Sequence, residues 1–230
     1  LKYVDPSGFK PTVWEAAIMA ENIYSAGDKD KGTLISNGNG WGLEDIITND
    51  FGLKMGVYSK IKLGGTKEYS LVNKGTSLPE NWADNVGQPL GMSDDMDDSI
   101  EKSEYFVASH SDSEITMVGH SKGGAEAIAN AVANNKNAIT FNPAKPNLGM
   151  FALDKDSYSA TMTHYVVTGE VLNTVFGEPS IGNVVYLPKV YDYTYHAWYN
   201  NSISDYINEL IDNHGMGAVI MALQEAGYKY

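Results

Sequence analysis

Glu114-Ile115-Thr116-Met117-Val118-Gly119-His120-Ser121-Lys122-Gly123-Gly124-Ala125 contains a change of secondary structure and a candidate reactive group in one short span. Glu114 to Val118 is a short apolar run of the kind that forms a buried strand. From Ala125 onward, Ile128, Ala129 and Val132 return at helical spacing and mark a buried stripe. Strand therefore passes to helix through Gly119-His120-Ser121-Lys122-Gly123. Glycines two before and two after the serine let strand and helix approach closely, while the serine is held in a strained conformation with its hydroxyl outward. The Lys122 N–H, at the start of the helix, faces any negative charge formed beside Ser121 and is one candidate oxyanion donor. The same five letters also occur in glycine-rich turns without chemistry, so the surrounding sequence has to decide.

On either side the pattern is mixed α and β. Val13, Trp14, Ala16, Ala17, Ile18, Ile23 and Tyr24 predict a helix over about 12–25. Residues 27–45, punctuated by Asn37-Gly38-Asn39-Gly40, read as loop. Met55 to Lys62 and Lys67 to Asn73 read as strands joined by a hairpin turn at Gly64-Gly65. Asp94-Asp95-Met96-Asp97-Asp98 reads as the solvated start of a helix, with its acidic residues at the positive end of the dipole; EF-hand spacing is absent. Further strands are expected at Ala138 to Phe141, Tyr165 to Thr168 and Val184 to Leu187, and helices at about 202–212 and 216–226. This alternation predicts an α/β protein with a mostly parallel central sheet and helices on both faces, the α/β-hydrolase fold. Residues 11–230 are expected to form that single domain, and 1–10 to be a remnant of something upstream.

Composition narrows the chemistry. With 230 residues, 43% of them hydrophobic, the chain can bury a substantial core. A formal charge of −13 sets an unfavourable field around nucleic acid and strongly anionic membrane surfaces, so no nucleic-acid partner is expected. The absence of cysteine removes disulfides, thiolate metal sites and cysteine nucleophiles. None of the five histidines pairs at a spacing of three or four, so no metal site is expected, and no nucleotide-binding loop or other cofactor motif is present. No apolar run approaches the roughly eighteen residues that span a bilayer, and Leu1-Lys2-Tyr3-Val4 is not of signal-peptide type. The expected chain is soluble.

A second segment sharpens the reading of Ser121. The strand ending Leu71-Val72-Asn73-Lys74 runs into Gly75-Thr76-Ser77-Leu78-Pro79-Glu80-Asn81-Trp82. With the Ser121 turn downstream, this resembles the class 3 lipases, in which a Gly-Ser or Gly-Thr pair precedes Asn-Trp in the oxyanion loop. The resemblance implies that the Thr76 N–H is the second oxyanion donor. Lys122 departs from it, where leucine is usual, and Lys74, where arginine is common; both set this chain apart from the fungal triglyceride lipases.

A serine nucleophile needs a base and an acid, in the order serine, acid, histidine for this fold. His110 and His164 lie at strand boundaries, and His120 reads as packing within the turn. His214, before the closing helix, is the first choice, since Asn213-His214-Gly215-Met216 resembles the end of bacterial class 3 lipase-like domains. His196, after the Tyr-rich stretch 191–195, is the alternative. For the acid, Tyr165-Val166-Val167-Thr168-Gly169-Glu170 matches the family's strand before the acid, with glutamate where aspartate is usual; Asp192 and Asp205 are substitutes. Tyr186, Tyr191, Tyr193, Tyr195, Trp198 and Tyr199 are explained by strand packing or by an acyl groove at a lipid interface.

The resemblance implies a serine esterase acting on lipid, with phospholipid as the first choice of substrate and peripheral membrane contact. A non-lipid esterase or thioesterase, or a hydrolase-shaped binding module without catalysis, are the alternatives. Leu1-Lys2-Tyr3-Val4-Asp5-Pro6-Ser7-Gly8-Phe9 is similar to the Asp-Pro-x-Gly signature that closes the shell of rearrangement-hotspot (Rhs) and YD-repeat proteins. That similarity implies a toxin domain secreted or delivered into target cells as part of a larger protein, with a cognate immunity protein. The choice of base has a direct test: His214→Ala is expected to abolish ester turnover and His196→Ala to leave most of it, and the opposite result assigns the base to His196.

Overall fold

The turn around Gly64-Gly65 joins two antiparallel strands of the sheet. Gly64 and Gly65 have φ of 103° and 83°, the left-handed conformations this turn demands. In the computed structural model, which describes residues 10–62, 64–76, 93–193 and 203–229, β3 (Lys54–Ile61) and β4 (Lys67–Asn73) pair antiparallel from Met55 opposite Asn73 to Ile61 opposite Lys67. Two strands precede them where loop was expected: β1 (Thr33–Leu34) pairs with β2 (Gly42–Thr48), and β2 with β3, all antiparallel. The register of β2 shifts between Leu43 and Asp45. A bulge of this kind interrupts the alternation of inward and outward side chains, which is why Gly42-Leu43-Glu44-Asp45-Ile46-Ile47 does not read as a strand.

From β4 onward the pairing is parallel. β4, β5 (Glu114–His120), β6 (Asn137–Phe141), β7 (Met162–Val167) and β8 (Asn183–Leu187) follow one another across the sheet in chain order, which makes eight strands among the described residues. Parallel crossovers are right-handed, and a sheet that grows in one direction by such crossovers receives all its connections on one face. The packing agrees. One core joins α2 (Ser93–Ser109), α3 (Lys122–Asn134), α4 (Val171–Phe176) and α5 (Ile203–Asp212) to Leu71, Met117 and Ala138 of the sheet. Among the described residues, the opposite face is covered by α1 (Val13–Ser25) and α6 (Met216–Glu225), which close a second core over Val72, Val118, Phe141 and Val167.

Helix α1 begins with a capping box: the Glu15 N–H donates to Thr12 Oγ1 at 3.2 Å, and the Thr12 N–H to Glu15 Oε2 at 2.8 Å. The expected helices and central strands are present to within a few residues. Of the Tyr-rich stretch 191–195, residues 191–193 lie outside any strand, and 194 and 195 are outside the described residues. Of the segment read as an upstream remnant, only Lys10 is among the described residues.

Phe141 is fully buried at the end of β6, in the core closed by the two outer helices. Phe141→Ala is expected to destabilise the fold by about 3–5 kcal/mol, the range for deleting a buried aromatic ring, as measured by urea unfolding.

Candidate active site

Ser121 follows the last residue of β5 and caps α3, with φ 59° and ψ −126°. Few residues with a Cβ hold such a conformation, and it persists only where surrounding bonds over-determine it. Here the Ser121 N–H donates to Phe141 O at 3.2 Å, and its carbonyl accepts from Gly124 N at 3.0 Å and Ala144 N at 2.9 Å. A side chain at Gly119 would overlap the Gly123 carbonyl, and one at Gly123 would overlap the Asn73 carbonyl, so both must be glycine for β4, β5 and α3 to meet here.

His214, in the turn between α5 and α6, places Nε2 2.9 Å from Ser121 Oγ. Its Nδ1 lies 2.6 Å from Glu170 Oε2. A carboxylate only accepts, so Nδ1 carries the ring proton and Nε2 is left to accept from the serine hydroxyl. All three residues are buried, His214 and Glu170 at 0% exposure. Glu170 is also the N-cap of α4: Oε2 accepts from the Leu172 N–H at 3.0 Å, and Oε1 from Asn173 Nδ2 at 2.6 Å. Burial raises its pKa, but the bonds from His214 and Asn173 outweigh burial and hold the carboxyl below its ordinary value. The arrangement can draw a proton from Ser121 and stabilise the resulting imidazolium.

The two candidate oxyanion donors flank the serine. Gly75 packs so tightly that a Cβ there would lie 3.1 Å from Ser121 Cβ, which brings the exposed Thr76 alongside. Lys122 is the first residue of α3, where helix geometry provides its N–H with no intrahelical acceptor. Of the substitute acids, Asp192 is exposed and Asp205 lies on α5, and the carboxylate on His214 Nδ1 is Glu170. The alternative base His196 lies outside the described residues, as do Tyr195, Trp198 and Tyr199. Among the described residues, no group of three or more His, Cys, Asp or Glu could hold a metal ion, and no helix is long and apolar enough to cross a membrane.

Residues 15–193 match the Tle-like phospholipase domain, a phospholipase-like family. The chain belongs to that family. Relatives of this Tle-like chain include an extracellular phospholipase A1 of Serratia liquefaciens, 28% identical over 135 residues. That match spans 56% of this chain and 40% of the relative, so the chain covers less than half of that protein's length. Solved structures of similar fold include the Rhizomucor miehei lipase propeptide complex, with a TM-score of 0.58 at 13% identity over 76% of this chain and 67% of that one. The lipase of Rhizopus microsporus var. chinensis gives 0.56 at 13% identity over 80% of each chain. These likenesses establish an α/β-hydrolase fold for this Tle-like domain.

Beneath the serine turn lies a charged network that the sequence did not disclose. Lys122 Nζ is ion-paired with Asp95 of α2 and lies 3.3 Å from Glu126 Oε1. Glu126 Oε2 accepts from Asn73 Nδ2 at 2.9 Å, and Asn73 also donates to Ser99 Oγ at 2.8 Å. Asp95 is thus buried and paired, not part of a solvated helix start, whereas Asp97 of the same run is exposed. A lysine beside the serine and an acidic run far upstream were the only sequence signals, and nothing in their spacing connects them.

One ammonium facing two buried carboxylates leaves an excess negative charge. Burial, with the nearby Asp95, pushes Glu126 up to about 7 despite Lys122 and Asn73. Its folded pKa lies above its ordinary value of 4.5, so the stability it contributes is complete below pH 4.5 and is lost as pH rises through about 7. Urea midpoints of wild type relative to Glu126→Gln are expected to fall as pH rises through that window, and to run parallel below it.

Proposed function

We propose that this chain is a serine-dependent carboxylic ester hydrolase acting on lipid, with phospholipid as its substrate. The observation that carries the reading is the buried chain Ser121 Oγ, His214, Glu170, anchored at a strained serine. His214 Nε2 takes the hydroxyl proton as Ser121 Oγ attacks the ester carbonyl, and the N–H groups of Thr76 and Lys122 receive the oxyanion. The tetrahedral intermediate collapses as His214 returns the proton to the departing alcohol, leaving an acyl-serine. Water, deprotonated by His214, releases the fatty acid and restores the serine.

Membership of a phospholipase-like family and the Serratia phospholipase A1 relative support the lipid substrate. Exposed Met150, Val175 and Phe176, on segments that follow β6 and β7 at the strand ends that carry the site, support peripheral contact with a lipid surface. The Leu1 to Phe9 similarity to the end of Rhs and YD-repeat shells supports a further reading: an effector domain delivered by a larger secreted protein to damage target-cell membranes, and restrained in the producer by an immunity protein.

Wild type is expected to react with a fluorophosphonate probe and to release fatty acid from zwitterionic phospholipid vesicles. Ser121→Ala is expected to lose labelling and to lower turnover by about a thousandfold or more. No labelling of the native chain sinks the catalytic reading in favour of a binding module. Cleavage of short soluble esters or thioesters with vesicles untouched sinks the lipid assignment alone.

A further inference from the structure

The ring of His214 is held by Glu170 and Ser121, but its main chain is held by something else. The His214 carbonyl accepts two side-chain hydrogen bonds, from Asn142 Nδ2 at 2.8 Å and from His120 Nε2 at 2.8 Å. Both donors are buried, and both stand at the ends of central strands: His120 closes β5 one residue before Ser121, and Asn142 follows β6.

Asn142 uses its whole amide. Nδ2 also donates to the Asn213 carbonyl at 3.1 Å, while Oδ1 accepts from the Val167 N–H at 2.8 Å. Val167 ends β7, three residues before Glu170. One side chain therefore ties the turn that carries His214 to the strand that delivers Glu170. Its backbone has φ 40°, a conformation that asparagine tolerates better than other residues with a Cβ, so the position favours this residue type on two counts.

His120 has an equally constrained part. A carbonyl only accepts, so Nε2 carries the proton and Nδ1 accepts from the Tyr24 hydroxyl at 2.7 Å. Burial, then the neighbouring His214, lowers its pKa to about 3, so it remains neutral. Its ring centroid is 5.0 Å from that of His214, close enough that a permanent cation there would oppose proton uptake by the base. A neutral imidazole donates to the carbonyl without that penalty.

We infer that Asn142 and His120 are positioning residues for the general base: they fix the His214 main chain and thereby keep Nε2 in line with Ser121 Oγ. The inference rests on the serine–histidine–glutamate reading above. Neither residue touches the substrate ester in this scheme. Their effect is geometric, and a displacement of about 1 Å at a reacting group costs on the order of a hundredfold in rate.

The test uses the whole chain, a soluble chromogenic ester, and the variants Asn142→Gly, His120→Phe, His120→Gln and the Asn142→Gly/His120→Phe double, with Ser121→Ala as reference. Asn142→Gly keeps the backbone conformation and removes the amide; His120→Phe keeps a ring and removes both hydrogen bonds; glutamine can restore a donor and an acceptor. The expected result is a kcat lowered about 10–100-fold in Asn142→Gly and His120→Phe with KM within about twofold. Glutamine is expected to recover most of the loss, and the double variant to lose less than the product of the single effects, because both act on one carbonyl. Should His120→Phe fail to fold, Asn142→Gly and His120→Gln carry the comparison. A kcat within about threefold of wild type in folded Asn142→Gly, while Ser121→Ala is inactive, overturns the inference. Full turnover by Ser121→Ala overturns the underlying triad reading instead.

Discussion

Everything at the site depends on how closely β4, β5 and α3 approach one another at the serine turn. Main-chain atoms of Gly119, Gly123 and Asn73 meet where a side chain would overlap a carbonyl oxygen. That contact goes with a short turn that holds Ser121 at positive φ with its hydroxyl on His214. The strain is stored locally and balanced by ordinary hydrogen bonds, from the Ser121 N–H to the Phe141 carbonyl and from the Gly124 and Ala144 N–H groups to the Ser121 carbonyl. A looser junction would relax the serine backbone and turn its hydroxyl away from His214.

The direction in which the sheet grows explains where the remaining groups come from. Strands β4 to β8 run parallel in chain order, and the connecting helices α2, α3 and α4 cover one face, as right-handed crossovers require. The other face is left to α1 and α6, and the turn before α6 carries His214. The helix that closes the second core thus also delivers the imidazole to Ser121 at the end of central strand β5. Helix α1 contributes in turn through Tyr24, whose hydroxyl bonds His120. Core closure and site assembly are served by the same two helices.

Much of this was readable from local pattern. Strand–glycine–serine–glycine–helix is a local signal, as are the hairpin at Gly64-Gly65 and the amphipathic segments, because each arises from residues close in the chain. Strand β2 was missed because a bulge between Leu43 and Asp45 breaks its alternation. The acidic run at Asp94 to Asp98 was misjudged at Asp95 because its partner, Lys122, stands on another helix. Residue order narrowed the base to two histidines and no further, since order along the chain does not measure distance.

The sequence by itself therefore determined the α/β architecture and the turn at Ser121, which rest on short-range periodicity and on glycine placement, while Glu170 was singled out by a resemblance to a family pattern. Only the tertiary structure decided that His214 reaches Ser121, that Glu170 serves both as an N-cap and as the partner of His214, and that Asn142 and His120 converge on one carbonyl. Those contacts join residues far apart in the chain. Their geometry is set by the twist and packing of the whole sheet, which no local stretch of sequence encodes.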